Sequence, residues 1–323
     1  MLGSVGRKAF FPTDPSSVHV CDERNFGGQS AKKMDWVERR AKMPINKTIS
    51  EKRKRQCAKL VELSKGVIRE AFGKFKQEEI GITWTGGKDS GLTLWCIRQV
   101  CQEKNLSVPK TMIIGEGDEF KEIEAFVDRY KKEWKVPLEV CRNEDVLKAA
   151  NHTLGAIVKV KDLNERNQEE LKRIDFKEPE FPFEAESYTG NHLMKTVVFN
   201  QWLERNKIKA VFQGLRWDEH PARFDDTYFE HKSAEHLIPE HTRIKPILHF
   251  IEKDLWDTYA AFNIPHCSLY EKGYRSLGAK TTSLISVEGV PAWEQDLENT
   301  EERAGRQQDK EKAMERLRKL GYM

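Results

Sequence analysis

The sequence predicts an α/β fold: an open, mainly parallel sheet with helices on both faces. Short apolar runs alternate along the chain with longer segments whose apolar residues recur at helical spacing. Strands and helices that alternate in this way are typical of parallel sheets. Glycines follow two of the apolar runs, at Gly86 and Gly214, and ligands of such sheets bind beyond the carboxyl ends of the strands.

The elements of the first half follow from this alternation. A helix is expected from Ser50, which suits an N-cap, to about Gln77, because the apolar residues between them fall at helical spacing. The other elements predicted here are strands at 80–84, 111–114 and 137–140, and helices at 88–104 and 120–132.

The second half is less regular. A helix is predicted at 191–206 and a buried strand at 210–214, whereas the polar segment 160–190 is expected to be a long loop or an insertion. Five histidines fall within 220–249. Their spacing does not stack them on one helix face, so we expect a polar, mobile loop over the site rather than a zinc site. The charged segment 300–323 is predicted to be an amphipathic helix.

Composition excludes several classes of protein. The chain has 323 residues, 55 basic and 52 acidic, so it lacks the basic excess of most nucleic-acid binders, although a local patch is compatible with it. No apolar run is long enough for a transmembrane helix, and the N-terminus lacks a signal-peptide core, so a cytosolic location is expected. The six cysteines form no C-x-x-C pair, which disfavours zinc knuckles and iron–sulfur clusters.

The most distinctive segment lies between the first strand and its helix. Two glycines let backbone N–H groups turn toward one point, and the helix N-terminus adds partial positive charge, so this segment is predicted to bind phosphate. The Walker loop is excluded, because Asp89 follows Lys88 where that motif needs Ser or Thr, and Ile82 stands where it needs glycine. The predicted phosphate-binding residues are Thr85, Gly86, Gly87, Lys88, Asp89 and Ser90.

A second group of charged residues follows the strand that ends at Gly214. Arg216 and Arg223 suit phosphate binding, because a guanidinium binds two phosphate oxygens at once. Asp218 suits either the orientation of these arginines or a ligand role toward Mg²⁺, and the alternative for the whole segment is a surface loop with charge pairs. Upstream, Lys195 near the start of a helix is a candidate ligand for a triphosphate or sulfate.

The string Thr85–Ser90 resembles the signature of the PP-loop ATP pyrophosphatases. This family includes the small subunit of ATP sulfurylase, FAD synthases and relatives of PAPS reductase. The resemblance spans roughly residues 50–323. It implies a PP-loop, HUP-like fold that cleaves ATP between its α- and β-phosphates.

Three further segments carry the resemblance. Residues 214–223 are similar to a Gly-x-Arg-x-Asp-Glu-x-x-x-Arg stretch of sulfurylase subunits, and residues 269–278 to a string of FAD synthases and PAPS reductases. Residues 302–306 resemble the Glu-Arg-x-Gly-Arg segment near the end of both sulfurylase small subunits and PAPS reductases. In place of the family's Asp-Thr-Gly after the second strand, this chain has residues 115–117, Gly-Glu-Gly.

The resemblance also implies roles for individual residues, with ATP and Mg²⁺ as cofactors. The residues implied to bind ATP are the loop 85–90 together with Gly214, Arg216, Arg275, Arg303 and Arg306. The residues implied to stabilise the transferred group are Lys88, Lys195, Arg216 and Arg223. Asp89 and Asp218 are the candidate ligands of Mg²⁺.

Cysteine usage separates the possible activities. Reductases of this group attack with a C-terminal cysteine, and this chain has none after Cys267. We therefore expect adenylyl transfer from ATP with release of pyrophosphate, with sulfate as the favoured acceptor and a GTPase as a possible partner subunit. The alternatives are a PAPS or APS reductase, an FAD synthase-like enzyme, an ATP pyrophosphatase of DNA phosphorothioation or sulfur transfer in which Cys267 reacts, and a non-catalytic ATP-binding module.

These features divide the chain into three predicted parts. An N-terminal extension occupies 1–45, and the nucleotide-binding α/β domain occupies 46–287. A C-terminal charged helical tail occupies 288–323 and holds the Glu-Arg-x-Gly-Arg segment.

Overall fold

A six-stranded sheet organises the part of the chain that the computed structural model describes, residues 45–302. The strands lie in the order β3-β2-β1-β6-β8-β7, and every neighbouring pair is parallel except β7 with β8. Two further strands, β4 and β5, form a separate antiparallel pair. The bounds are β1 Ile80–Thr83, β2 Lys110–Ile114, β3 Leu138–Cys141, β4 Ile157–Lys159, β5 Glu180–Pro182, β6 Ala210–Phe212, β7 Phe229–Lys232 and β8 His241–Ile244.

Helices cover both faces of this sheet. Within the described range they are α1 Glu51–Lys74, α2 Lys88–Glu103, α3 Lys121–Glu133, α4 Glu144–Ala149, α5 Glu165–Arg173, α6 Tyr188–Asn191, α7 Val197–Asn206 and α8 Glu252–Phe262. One π-helical turn, His192–Thr196, joins α6 to α7. Ser50 caps α1 as predicted, because its side chain accepts a hydrogen bond from the Arg53 amide at 3.2 Å.

The alternation of side chains along β1 shows how the two faces are packed. Ile80 and Ile82 are fully buried in the core formed with α1, α2, α3 and α8. Gly81 points to the other face, where a Cβ on it would lie 2.4 Å from the Trp202 ring of α7. Val211, the β6 partner of Gly81, packs in the same cluster as Trp202. The predicted fold class, a mainly parallel sheet with helices on both faces, is confirmed.

The predictions for two segments differ from the structure. Segment 160–190 contains α5 and β5, whose apolar residues build a second core against β4, α4 and the π-helical turn. Segment 220–249 contains β7 and β8 rather than a mobile loop. These strands were missed because polar side chains occupy alternate positions of β8, so the segment lacks the apolar run by which the other strands were predicted.

Four predictions fall wholly or largely on residues outside the described range: the N-terminal extension, the charged helix at 300–323, and the two tail arginines Arg303 and Arg306. Within the range, no helix combines the length and the apolar character needed to cross a bilayer.

Candidate active site

The glycine loop forms a tight turn at the carboxyl end of β1. Gly86 has a φ of +76°, a backbone conformation that favours glycine, and Gly87 is the N-cap of α2. The Ser90 hydroxyl accepts a hydrogen bond from the Thr85 amide at 3.1 Å and lies 3.0 Å from the Thr85 hydroxyl. These bonds fold the loop back over the first turn of α2, whose positive end therefore faces the space beyond the sheet.

Neighbouring segments hold this loop from two sides. Gly214, after β6, lies so close that a Cβ on it would be 2.5 Å from the Ser90 nitrogen and 2.7 Å from the Asp89 carbonyl oxygen. The Lys88 amide donates to the Tyr270 hydroxyl at 2.8 Å, and the Tyr259 hydroxyl donates to the Lys88 carbonyl at 2.5 Å. The loop is thus fixed in position before any ligand binds.

A cavity of about 540 Å³ opens in front of the loop. Loop residues line one part of it, and residues 276–279 line another. Met112, Ile113 and Ile114 of β2 give it an apolar side, while α7 and β8 border it on the far side of β6. A volume of this size is in the range of small-ligand sites.

The side chain of Lys88 does not extend into this cavity as a free cation. Its ammonium is buried, donating to Glu302 Oε1 at 2.5 Å and to the Arg275 carbonyl at 2.7 Å. Burial acts to lower the pKa of Lys88, but the charges of Asp89 and Glu302 outweigh it and raise that pKa. Lys88 therefore connects the loop to the C-terminal segment in this structure.

Arg216 belongs to the same buried cluster. Its guanidinium is fully buried and donates to Asp89 at 2.8 Å, to Asp218 at 3.0 Å and to Glu302. The arginine that the sequence predicts to bind phosphate is thus already hydrogen-bonded to three carboxylates. The structure brings Lys88 and Arg216 together through Glu302, as supports of the loop and not as cations exposed in the cavity.

The two predicted magnesium ligands do not form a metal site. Asp89 and Asp218 both accept from Arg216, and the second oxygen of Asp218 accepts from the Glu252 amide at 2.7 Å, at the start of α8. Among the described residues, no group of three potential ligands is placed to hold a metal ion. These carboxylates therefore do not fit a protein-built magnesium site.

Carboxylates outnumber cations in this cluster, and the pKa values of Glu302 and Asp89 are shifted in opposite directions. Burial acts to raise the pKa of Glu302, but Lys88 and Arg216 hold that pKa at about 2. Burial raises the pKa of Asp89 to about 6, against the opposing effects of Arg216 and Lys88. Glu302 is thus the permanent anion between the two cations.

Arg223 and Lys195 line the cavity, as expected of groups that contact a ligand. The Arg223 Nε lies 3.4 Å from Glu219. The Lys195 ammonium lies 3.0 Å from Glu116 and 3.1 Å from Glu186, and its side chain is 18% exposed. Both cations thus combine a nearby carboxylate with access to the cavity.

Arg275 lies in the buried cluster behind the loop. Its guanidinium donates to Glu252 at 2.5 Å and to the Thr300 hydroxyl at 2.5 Å. The structure places Arg275 against the loop lysine through its backbone carbonyl, and no part of it lines the cavity described above.

A family model described as "Phosphoadenosine phosphosulfate reductase domain" matches residues 79–284, more than half of the chain. The chain belongs to this family. Membership of the phosphoadenosine phosphosulfate (PAPS) reductase family confirms the resemblance on which the PP-loop prediction rested.

Relatives of this PAPS reductase-family chain include proteins named sulfate adenylyltransferase subunit 2. The protein from Azospirillum brasilense is 25% identical over 241 residues, which cover 69% of each chain. The protein from Brucella anthropi is 29% identical over 126 residues, which cover 33% of this chain and 41% of that protein. The chain thus spans less than half of the second relative.

Solved structures share the fold. Yeast FAD synthetase in complex with FAD superposes with a TM-score of 0.54 at 15% identity, covering 86% of this chain and 99% of that one. Candida glabrata FMN adenylyltransferase with FMN and an ATP analogue superposes with a TM-score of 0.51 at 19% identity, covering 88% and 80%. At these identities the likeness establishes the fold alone.

The positions of the cysteines in this family member argue against a role in catalysis. The cysteines within the described residues are free and buried. Cys267 is 1% exposed, and burial raises its pKa to about 12. A thiol with that pKa stays protonated at neutral pH, so it is a poor nucleophile in this conformation.

Sequence reasoning missed several residues of the site. Arg243 and Lys245 line the cavity from β8, and Glu302 holds the buried cations together. The sequence does contain a signal for Arg243 and Lys245. Ionisable side chains stand at every second position of residues 241–245, as they do in a strand with one polar face. No local pattern indicates the role of Glu302, which depends on contacts with residues far away in the sequence.

Proposed function

We propose that the protein transfers the adenylyl group of ATP to an anionic acceptor and releases pyrophosphate. The observation that carries this proposal is the glycine loop 85–90. It places the N-terminus of α2 at the carboxyl edge of a parallel sheet, facing a cavity large enough for a nucleotide and a second substrate. A phosphate chain is the ligand that such a helix end favours.

The relatives support sulfate as the acceptor, because several are sulfate adenylyltransferase subunits by name. On this proposal the chain acts as a nucleotidyltransferase in sulfate activation, together with a partner subunit that is a GTPase. FMN is the alternative candidate for the acceptor. It is supported by the string 269–278, in which Tyr270 contacts the loop and Ser276 lines the cavity.

The chain's own groups divide into two roles in this reaction. The loop backbone and the end of α2 hold the outer phosphates of ATP, while the apolar side at Met112 and Ile113 suits the adenine ring. Arg223 and Lys195 stabilise the charge that develops when an acceptor oxygen attacks the α-phosphorus and pyrophosphate leaves. Lys88 and Arg216 fix the loop, so that the phosphates meet a preorganised site.

Magnesium accompanies ATP in this proposal as a partner of its phosphates. Mg²⁺ commonly binds through substrate phosphates and water, so the chain need not supply a carboxylate cage. When bound, the ion would offset phosphate charge. Its absence from the assay should therefore reduce turnover without changing the fold of the chain.

The test is incubation of the protein with ATP labelled at the α-phosphate, Mg²⁺ and one acceptor at a time: sulfate, FMN or DNA. The proposal predicts a labelled adenylylated product with one small acceptor, in the presence of the partner subunit if sulfate is used. ATP binding with no product under all conditions would favour a non-catalytic module. Labelled DNA-dependent product would favour the phosphorothioation alternative.

A further inference from the structure

A row of buried polar side chains lines one face of β8. His241 and Arg243 of β8 and Lys245 directly after it occupy alternate positions, and each is at most 5% exposed. Arg243 pairs in register with Val211 of β6, whose side chain packs against α7. Because neighbouring residues in register point to the same face of a sheet, the row lies between the sheet and α7.

Carboxylates near this row are already bound to lysines. Lys245 lies 2.7 Å from Glu230 and 3.1 Å from Asp226, and Glu230 also pairs with Lys232. Glu230 is the cross-strand partner of Arg243 in the β7–β8 register, yet its two oxygens contact the lysines.

Arg243 forms no direct ion pair among the described residues, and Glu230 and Asp226 act on it electrostatically from farther away. Within residues 45–302, no carboxylate oxygen lies within 4.0 Å of its guanidinium, and its Nε donates to His241 Nε2 at 3.3 Å. His241 Nδ1 lies 2.8 Å from the Pro239 carbonyl, so the ring proton is on Nδ1 and Nε2 is an acceptor. A neutral histidine therefore orients this arginine without neutralising it.

A second polar group near the row, the buried hydroxyl of Thr196, has no hydrogen-bond partner among the described residues. Thr196 precedes Phe199 by three positions, and the Phe199 ring contacts the His241 ring edge-on at 5.6 Å between centroids. Thr196 is the last residue of the π-helical turn that leads into α7, less than one turn before Phe199. Both Thr196 and Arg243 line the cavity.

The energetic cost of this arrangement points to a ligand. Burying a cation without a direct ion pair is unfavourable, and an anionic ligand at this position would offset that cost. Burial lowers the pKa of Arg243 from its ordinary value, although Glu230 and Asp226 act in the opposite direction.

The row is separate from the phosphate-binding loop. β6 lies between β1 and β8, so their backbones are about 10 Å apart. Arg243 is in register with Val211, which is in register with Gly81. Gly81 lies two residues before the end of β1. Arg243 is therefore set back from the edge of the sheet at which the loop begins. An anion held here would occupy the same cavity beside the nucleotide.

We propose that Arg243 and Thr196 bind a doubly charged tetrahedral oxyanion that belongs to the acceptor. The oxyanion is either free sulfate or the phosphate of a phosphate monoester. That this anion belongs to the acceptor rests on the proposed function, whereas the anion site itself rests on the geometry of β8 and α7. The guanidinium supplies paired donors and the hydroxyl one more, a combination suited to such an ion.

The test is direct titration of the full chain with sulfate, with FMN as a phosphate monoester, and with riboflavin as the same flavin without phosphate. Each titration is run with and without an α,β-methylene analogue of ATP, so that sulfate bound at the loop is distinguished. The variants are Arg243→Met, Arg243→Lys and Thr196→Val, with the exposed Arg205→Met as the matched control.

We expect Arg243→Met to weaken sulfate or FMN binding by at least about tenfold, because it removes charge-assisted hydrogen bonds. Arg243→Lys should retain part of the affinity, Thr196→Val should lose about threefold, and Arg205→Met should behave as the wild type. An effect on sulfate alone identifies the free ion, and an effect that reduces FMN to the level of riboflavin identifies the monoester.

The proposal is overturned if Arg243→Met binds both oxyanions as tightly as the wild type. Thermal unfolding separates binding from a structural role: a ligand-binding Arg243 can be replaced by Met with an equal or higher midpoint, whereas a structural one cannot. If Arg243→Met does not fold, the Thr196→Val titration decides. Failure of the wild type to bind the ATP analogue would contradict the proposed function and leave the anion result intact.

Discussion

Among single residues, Gly214 determines how closely the strand β6 approaches the phosphate-binding loop. The space beside its Cα is filled by the backbone of Asp89 and Ser90, which a side chain cannot displace without moving the loop. Gly66, in the middle of α1, has nothing within 4 Å of the position of a Cβ. These two glycines allow the same substitution to be compared in a filled and in an open position.

Gly214→Ala should reduce ATP affinity at least about tenfold and lower the free energy of unfolding by about 1–3 kcal/mol, because the added methyl overpacks the loop. Gly66→Ala should leave ATP affinity unchanged and stabilise α1 by about 0.5–1 kcal/mol. Titration with ATP and denaturant unfolding measure both effects. Equal ATP affinity in the two variants would show that the loop geometry does not govern nucleotide binding.

His241 provides a prediction about pH. Burial, together with the nearby charges of Arg243 and Lys232, lowers its pKa from 6.5 to about 4, although the Pro239 carbonyl and Glu230 act in the opposite direction. Between those two pH values the unfolded chain binds a proton that the folded chain does not. The free energy of unfolding should therefore fall as the pH drops from 6.5 to 4.

The loss attributable to His241 is about 3 kcal/mol over that interval. His241→Gln keeps an acceptor for Arg243 and removes the titrating ring, so this variant should show a flatter dependence of stability on pH. Urea unfolding at several pH values compares it with the wild type. Identical slopes for the two proteins would contradict a neutral, buried His241.

At the scale of elements, the C-terminal segment is joined to the loop by one carboxylate. Glu302 contacts both Lys88 of α2 and Arg216 after β6, and it is 8% exposed. Removing one partner of a buried ion pair leaves the other charge uncompensated. The Glu302 contacts therefore stabilise the loop and the C-terminal segment together.

Glu302→Gln should lower the free energy of unfolding by about 3 kcal/mol, since it removes the buried carboxylate to which both Lys88 and Arg216 donate. The matched control is Glu298→Gln, whose exposed carboxylate pairs with Lys253 at 2.8 Å and whose replacement should cost less than about 1 kcal/mol. Denaturant unfolding measures both. A similar small loss in both variants would mean that the buried cluster contributes little to stability.

The elements that the sequence predicted well are those with apolar faces. β1, β2, β3 and β6 and their helices followed from apolar spacing, and the glycine loop was placed correctly between β1 and α2. β8 was missed because His241, Arg243 and Lys245 give it a polar face that resembles a loop in sequence. The antiparallel pair β4–β5 was missed because its strands are three residues each, too short for a pattern.

The candidate site could be predicted only where its residues are close together in the sequence. The loop 85–90 carries its own signal, and Arg223 and Lys195 line the cavity as expected. The surroundings of Lys88 and Arg216 could not be derived, because they depend on Glu302, a residue 86 positions from Arg216 in the chain. Charges of both signs were visible in the sequence, but which of them pair was not.

At the scale of the whole molecule, the proposed binding regions for two anions lie on different strands that border one cavity. The loop after β1 is proposed to hold the phosphates of ATP, and the β8 row is proposed to hold the anionic group of the acceptor. Arg223 and Lys195 line the same cavity, where the transferred group would lie. This division accounts for a transfer reaction without a nucleophile supplied by the protein.

The most direct test of this account is the identity of the phosphate product released from MgATP by the wild-type chain, with the acceptor and any required partner subunit present. Cleavage between the α- and β-phosphates predicts pyrophosphate, formed in equal amount with an adenylylated acceptor and reduced in Gly214→Ala at ATP concentrations below saturation. Release of orthophosphate from the γ-position, with ADP as the other product, would contradict the account.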